Sequence, residues 1–185
     1  IFTEPRDIKG TATLTHSKIE PDDNDQWIYL PAIKRVKRIS SSNRTGKFVG
    51  SEFSFEDLAS QEIENNTYLW LEDLDCPNNI DLKCAMIEAR PKNKKSGYSK
   101  VINYIDLLEF RVQFAQFYNR RGDLEKELSY LDYKKYLDKY WFFHGLVMLN
   151  KQTGKSTELK WDEYKVQSGL KMSDFDPKKL PKMAK

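Results

Sequence analysis

The sequence predicts a mainly β protein, in which short antiparallel strands form one sandwich or barrel. Many segments alternate apolar and polar residues with the two-residue period of half-buried strands. Turn signals rich in Gly, Pro and Asn separate several of these segments, at a spacing typical of all-β folds. Long helical patterns do not alternate with the strands, which argues against a parallel sheet. The length of 185 residues fits a single domain over 1–185.

Ten segments carry the strand pattern. The first, GTATLTH, alternates threonine with Ala12 and Leu14. Pro31 separates the second segment from the third, because proline cannot donate to a ladder. The turns CPNN, PKNKKSG, NRRGD and NKQTG lie between later strands. Strands are expected at 10–16, 26–30, 33–39, 67–74, 82–90, 98–106, 109–118, 124–133, 140–149 and 156–166.

Two segments carry helix signals. In SFEDLASQEI (54–63), Ser54 suits the N-cap, and two acidic residues follow in the first turn, where the helix dipole favours negative charge. The apolar residues of this segment lie near one helical face, namely Phe55, Leu58, Ala59 and Ile63. A short C-terminal helix is expected at 173–180, with Ser173 as its cap.

Composition and motifs exclude several classes of function. Ten Phe, ten Tyr and four Trp argue against disorder, and no uncharged apolar run approaches the roughly 18 residues of a membrane helix. The net charge of +3 is small for a nucleic-acid-binding protein, so we expect no nucleic acid partner. TGKS at 153–156 has Leu149 where a phosphate loop needs glycine, and other common catalytic motifs are missing. We therefore expect a protein that is not an enzyme and holds no metal or cofactor.

Two of the expected strands carry more apolar surface than a simple core requires. On the strand at 109–118, Phe110, Val112 and Phe114 share one face. On the strand at 140–149, Phe142, Leu146 and Met148 share one face, and the opposite face carries Trp141, Phe143, Val147 and Leu149. This surplus fits two structures: a sheet that encloses an apolar ligand cavity, or a filled core.

Basic residues are concentrated in one stretch of the chain. Between Gln26 and Ser51 there is no acidic residue, whereas this basic strip contains Lys34, Arg35, Lys37, Arg38, Arg44 and Lys47. A second basic cluster contains Arg90, Lys92, Lys94, Lys95 and Lys100. Anionic lipid headgroups or an acidic partner would suit such a surface. The alternative is a solvated edge strand that its charges protect from aggregation.

The two cysteines are eight positions apart. Cys76 and Cys84 flank a turn that is able to bring them together across a hairpin. A disulfide between them would fit an oxidising compartment. Two reduced thiols in the core are the alternative interpretation.

Three blocks of the sequence resemble a known family. They are KGTATLTH (9–16), the long block at 25–58 and SGYSKVINYID (96–106). The long block contains W-x-Y-L-P, then K-R-V-x-R-I, then G-S-x-F-x-x-E-D-L, in that order. In these motifs the chain resembles the bacterial outer membrane lipoprotein-sorting proteins, which are related to the LolA and LolB carriers. The similarity covers nearly the whole chain, more loosely after residue 106.

The resemblance implies a fold, a compartment and a ligand. It implies an unclosed antiparallel β-barrel, a LolA-like half-barrel, with helices covering its concave face. In this family an N-terminal helix and further strands are expected before residue 1. The resemblance also implies a periplasmic protein that binds the acyl chains of a lipid or lipoprotein. An inner-membrane exporter of the RND type or an outer-membrane acceptor would be its membrane partner.

From this we expect a hydrophobic cavity covered by the helix at 54–63, which would act as a lid. Arg35 or Arg38 would hold the lid through its carboxylates or contact a headgroup, since arginine binds both carboxylate and phosphate. The side chains expected in the cavity and lid are Leu14, Trp27, Tyr29, Phe53, Phe55, Leu58, Phe110, Val112, Phe114, Phe142, Leu146 and Met148.

A second hypothesis is a non-enzymatic interaction subunit that docks on an export system through the basic strip. Such a subunit would have a filled core and no ligand. A continuous apolar void distinguishes the two hypotheses, because only a carrier needs one.

Overall fold

The computed structural model describes residues 1–18, 24–59 and 62–184. Near the N-terminus, a small antiparallel sheet has the order β1-β2-β3. Its strands are β1 (Ala12–His16), β2 (Asp25–Leu30) and β3 (Arg35–Ile39). All three overlap the expected strands, and Pro31 begins a 3-10 turn, Pro31–Ile33, between the second and third.

The remaining strands are β4 (Asn66–Cys76), β5 (Asn79–Pro91), β6 (Tyr98–Asp106), β7 (Val112–Asn119), β8 (Leu124–Leu131), β9 (Lys134–Tyr136), β10 (Tyr140–Phe142), β11 (Gly145–Asn150) and β12 (Ser156–Lys160). Seven of them form an antiparallel sheet in the order β12-β11-β8-β7-β6-β5-β4, and β9 pairs only with β10. Because β12 and β4 stand at opposite edges, the large sheet does not close into a barrel. The mainly β, unclosed antiparallel architecture is therefore confirmed.

The prediction of a helix at 54–63 is wrong. Residues 55–58 form a turn, residues 60 and 61 lie outside the described part of the chain, and Ile63–Asn65 is a 3-10 turn. The Ser54 hydroxyl does accept from the Asp57 amide (3.2 Å), and the Asp57 carboxylate accepts from the Ser54 amide (2.7 Å). These two bonds close one turn, but Ser54 also pairs with Lys47 in an isolated β-bridge, so its backbone is extended and the turn does not continue as a helix.

The helices expected to cover the large sheet are therefore also wrong. Among the described residues, the one α-helix is α1 (Leu180–Met183), and no helix is long and apolar enough to cross a membrane. The expected helix at 173–180 is instead two 3-10 turns, Met172–Phe175 and Pro177–Lys179, which precede α1. Ser173 lies inside the first turn, and the Asp176 side chain caps the second.

The apolar side chains form one main core and two smaller clusters. The main core lies on one face of the large sheet, which we call the covered face; its buried members include Ile28, Phe48, Phe53, Val101, Ala115, Phe117, Leu128, Leu146 and Met148. Each large side chain that is fully buried stabilises the fold by roughly 1.5–3 kcal/mol. A second cluster surrounds the cysteines, with Ile102, Tyr104 and Phe114. The third joins the small sheet to α1 through Ala12, Tyr29 and Leu180.

Cys76 and Cys84 form the disulfide that their spacing suggests. Their Cα atoms are 5.1 Å apart, and both residues are buried. The bond joins β4 to β5 close to the turn that connects them, beside the second cluster.

We expect that loss of the disulfide lowers the free energy of unfolding by about 2–3 kcal/mol, because the open chain regains loop entropy on unfolding. Equilibrium urea denaturation of the oxidised and the reduced parent protein measures this without a change in side-chain volume. The Cys76→Ser/Cys84→Ser variant should match the reduced parent within error. Equal stability of the oxidised and reduced proteins would contradict the expectation.

Candidate functional site

An irregular stretch of chain covers the apolar side of the large sheet. We call residues 44–59 the covering segment. Most hydrogen bonds between its backbone groups run within the segment: Phe48 N donates to Phe53 O (2.7 Å), Phe55 N to Gly46 O (3.3 Å) and Glu56 N to Arg44 O (2.9 Å). Side chains of two strands also bind its backbone: the Thr157 hydroxyl accepts from Glu52 N (3.0 Å), and the Gln26 side-chain amide donates to Phe55 O (2.9 Å). Among the described residues, no hydrogen bond between two backbone groups joins this segment to the large sheet. The covering segment is thus a self-contained loop that side chains attach to the sheet.

The covering segment inserts aromatic rings into the main core. Phe48 and Phe53 are 2% and 1% exposed, and they are among the largest fully buried side chains. Phe55 and Leu58 are partly buried against the same cluster, and the rings of Phe48 and Phe55 meet edge to face at 5.4 Å. An irregular segment therefore supplies a large part of the apolar contact area on the covered face.

A buried charged pair anchors the covering segment to the sheet. The Asp57 carboxylate accepts hydrogen bonds from the Tyr98 hydroxyl (2.6 Å) and the Lys126 ammonium (3.2 Å). The ammonium also donates to the Tyr98 oxygen (3.0 Å), so the three groups close a triangle. The side chains of Asp57 and Lys126 are 1% and 8% exposed. Burial, reinforced by the Asp57 charge, raises the pKa of Tyr98 well above its usual value, so its hydroxyl stays a donor.

Two further carboxylates hold the covering segment. Glu56 accepts from the Ser96 hydroxyl (2.5 Å) and the Gly97 amide (2.9 Å), directly before β6. Glu52 accepts from Lys47 (2.7 Å) and from the Asn150 amide group (2.9 Å) at the end of β11. The Lys47 hydrogen bond, opposed by burial, lowers the pKa of Glu52 from its usual value. All three anchors are therefore carboxylates that accept from donors on the sheet or in its loops.

The space between the covering segment and the small sheet is small. A pocket of about 10 Å³ lies there, with Leu14, Trp27, Phe55 and Leu58 in its wall. This volume is close to the minimum that one water molecule needs. Gln26 borders this pocket, and its buried side-chain amide oxygen, Oε1, has no hydrogen-bond partner among the described residues. A second pocket, of about 80 Å³, lies between the segment and the large sheet, where charged and polar side chains form much of its wall. In this closed arrangement, the protein's own side chains fill the region expected to bind acyl chains.

The structure brings only some of the expected site residues together. The main core contains Phe53, Leu146 and Met148, and Phe55 and Leu58 pack against it. Beside it, the third cluster contains Leu14, Trp27 and Tyr29.

The other expected cavity residues lie elsewhere. Phe114 belongs to the disulfide cluster, because a register shift pairs Val112 with Ile105 and Phe114 with Tyr104. Val112 and Phe114 therefore do not share a face as expected, since adjacent residues of β6 point to opposite sides of the sheet.

Phe110 and Phe142 also do not face the main core. Phe110 is 77% exposed in the turn before β7. The expected strand at 140–149 breaks at residues 143 and 144, so Phe142 is on β10 and stacks on Tyr164 at 4.6 Å. Phe143, expected on the opposite face from Leu146, packs against the main core instead.

The arginines expected to hold the lid do not do so in this arrangement. Arg35 and Arg38 lie exposed on β3, and Arg38 pairs with Asp25 of the neighbouring strand. The anchor Lys126 was not foreseen, although the sequence contains a signal for it. Lys126 lies between Leu124 and Leu128, at the same alternation as two apolar residues, so a strand there must place its ammonium on the apolar face.

The described residues contain no group of three or more His, Cys, Asp or Glu side chains placed to hold a metal ion. An apolar face, the covering segment and its polar anchors thus meet in one region of the protein. None of the curated proteins matches this chain.

Known families and solved structures share this fold. A family model described as "Uncharacterized protein" matches residues 1–182. A domain from Vibrio parahaemolyticus, named for outer membrane lipoprotein sorting, is 46% identical, with a TM-score of 0.90 over 98% of this chain and 75% of its own. A DUF1329 family protein from Desulfovibrio piger is 26% identical, with a TM-score of 0.86, and the match covers 97% of this chain and 75% of that protein. A LolA superfamily protein from Nitrosomonas europaea has the same fold at 20% identity, with a TM-score of 0.70, and the match covers 94% of this chain and 73% of that protein. The chain therefore belongs to the outer membrane lipoprotein-sorting protein family.

Proposed function

We propose that this protein is a non-enzymatic periplasmic carrier that binds acyl chains of a lipid or lipoprotein. The chains would lie on the covered face of the large sheet, in the place that Phe48, Phe53, Phe55 and Leu58 occupy in the closed arrangement. The observation that carries the proposal is that, among the described residues, no hydrogen bond between two backbone groups joins the covering segment to the large sheet. Lifting this segment exposes a continuous apolar face without breaking the ladders of the sheet.

Two further observations support the proposal. The Vibrio parahaemolyticus relative is named for lipoprotein sorting, and it matches 98% of this chain. The disulfide between Cys76 and Cys84 fits an oxidising compartment such as the periplasm.

The apolar burial lost by four side chains of the covering segment is comparable in free energy to the burial gained by an acyl chain. Burial of the four side chains contributes roughly 1.5–3 kcal/mol each. An acyl chain that buries about ten methylene groups contributes about 8 kcal/mol, at roughly 0.8 kcal/mol for each group. An acyl chain would thus replace apolar contact of the same size as that lost when the covering segment is displaced.

Replacing Leu58 by Glu should weaken acyl binding at least about tenfold, because it moves a carboxylate onto the apolar face. Displacement of a fluorescent fatty acid, titrated against the parent and the variant, measures the effect. Leu108→Glu is the matched control, because Leu108 is exposed in the turn before β7, and it should bind like the parent.

Two results would count against the carrier. If the parent shows no saturable binding, the carrier function is wrong. If Leu58→Glu binds as tightly as the parent while both are folded, acyl chains bind elsewhere than under the covering segment.

The filled core favours a second candidate function. A pocket of about 10 Å³ is what an interaction subunit without a ligand would show. Such a subunit would dock on a membrane exporter through the exposed residues of the basic strip, among them Lys34, Arg35 and Lys37. The same titration separates the candidates, since the interaction subunit predicts no saturable acyl binding at any concentration.

A further inference from the structure

A basic cleft lies at one end of the large sheet, beside the covering segment. It has a volume of about 770 Å³, and the loops β5–β6 and β7–β8 form much of its wall. Five cationic side chains line it, and two carboxylates, Glu56 and Glu125, accompany them. The cationic side chains are Lys94, Lys95, Arg120, Arg121 and Lys126. The excess of positive charge in a concave site attracts anions.

The cations of the cleft are arranged to receive an anion. Arg120 donates from Nε to the Ser96 carbonyl (2.7 Å), which holds its guanidinium in one orientation. Within the described part of the chain, neither Lys94 nor Arg121 has a carboxylate within 4.0 Å, so an anion would not have to displace an existing ion pair. Glu56 is engaged by Ser96 and Gly97, which reduces its repulsion of an incoming anion.

The cleft adjoins the main core at Tyr98. Tyr98 lines the cleft and also belongs to the main core, and Ser54 of the covering segment forms part of the wall. Lys126, which pairs with Asp57 of the covering segment, also lines the cleft. A ligand with its anionic end in the cleft would therefore have its attached chain at the edge of the covering segment.

We propose that this cleft binds the phosphate of an acyl-bearing phospholipid headgroup. The proposal rests on the carrier function and names the headgroup chemistry of its ligand. Arginine and lysine recognise phosphate through charge-assisted hydrogen bonds. The hydroxyls of Ser41 and Ser42, before the covering segment, and of Thr45, within it, add donors. The acyl chain would enter beneath the covering segment from this end.

Calorimetric titration with two lipids of equal chain length tests the headgroup. Dihexanoyl phosphatidylglycerol, which is anionic, should bind the parent at least about tenfold more tightly than zwitterionic dihexanoyl phosphatidylcholine, a difference of about 1.4 kcal/mol. In Lys94→Ala/Arg121→Ala, this preference should fall below about threefold while phosphatidylcholine affinity stays unchanged. Arg6→Ala/Lys9→Ala removes the same charge from exposed residues outside the cleft, and should keep the preference.

Inorganic phosphate is the third titrant, and it separates a headgroup site from a site for the free anion. It should compete with phosphatidylglycerol and leave phosphatidylcholine binding unchanged. Equal affinity of the parent for the two lipids overturns the headgroup site and leaves acyl binding intact. Binding of phosphate without either lipid overturns both the headgroup assignment and the carrier. If the two double variants lose the preference for phosphatidylglycerol equally, the headgroup does not bind in the cleft, because the effect would then follow net charge alone.

Discussion

Replacing Lys126 by Met is expected to lower the free energy of unfolding by about 3–5 kcal/mol. The substitution leaves the Asp57 carboxylate, 1% exposed, with two neutral donors, the Tyr98 hydroxyl and the Ser54 amide, and without a cation. A buried charge without its counterion destabilises the folded state by far more than the intact ion pair stabilises it.

Equilibrium urea denaturation measures this effect, and an exposed pair provides the control. Lys83 and Asp75 are 2.6 Å apart but largely solvent-accessible, so Lys83→Met should cost less than about 1 kcal/mol. The double variant Asp57→Asn/Lys126→Met should be less destabilised than the sum of its single variants, by about 0.5–3 kcal/mol. If Lys126→Met costs no more than Lys83→Met, the buried anchor does not exist.

Replacing Phe53 by Ala should lower the free energy of unfolding by about 3–5 kcal/mol. Phe53 is 1% exposed and belongs to the main core with Leu146 and Met148. Removing its ring loses apolar burial and leaves a cavity that the packed sheet below cannot fill by collapse. Thermal and urea denaturation both report the change, which would appear as a lower midpoint.

Phe110→Ala is the matched control for Phe53→Ala. The ring of Phe110 is 77% exposed, so its loss should change the free energy of unfolding by no more than about 0.5 kcal/mol. The backbone of Phe110 has a positive φ of 56°, a strain that alanine shares with phenylalanine. A similar loss of stability in both variants would mean that Phe53 is not a core residue in solution.

The strands were predictable because their signals are local. Each strand of the large sheet contacts neighbours that follow it closely in sequence, and apolar alternation marks every one of them. In two places the structure puts side chains on other faces of the sheet than the sequence predicted. Both result from irregularities in the strands that the alternation of apolar and polar residues does not reveal. One is the register shift that separates Val112 from Phe114, and the other is the break between β10 and β11.

The covering segment was not predictable as a loop from its own residues. Ser54 and Asp57 make the same reciprocal hydrogen bonds that begin a helix, so the local signal is common to a helix and a single turn. Its structure is decided by distant partners, namely Tyr98, Lys126 and Asn150. Phe53, Phe55 and Leu58 were expected among the residues of the cavity and lid, and in the structure they lie in the main core or pack against it.

The closed backbone of the covering segment makes it a cooperative unit separate from the sheet. Its amide protons, such as those of Phe48 and Phe55, are protected by bonds that no strand of the sheet shares. Proteins open in such units with free energies below that of global unfolding. Substitutions that stiffen the β4–β8 meander would therefore raise the melting temperature and leave the opening frequency of the segment unchanged. Evolution could thus adjust the global stability of this protein and the opening of its covering segment independently.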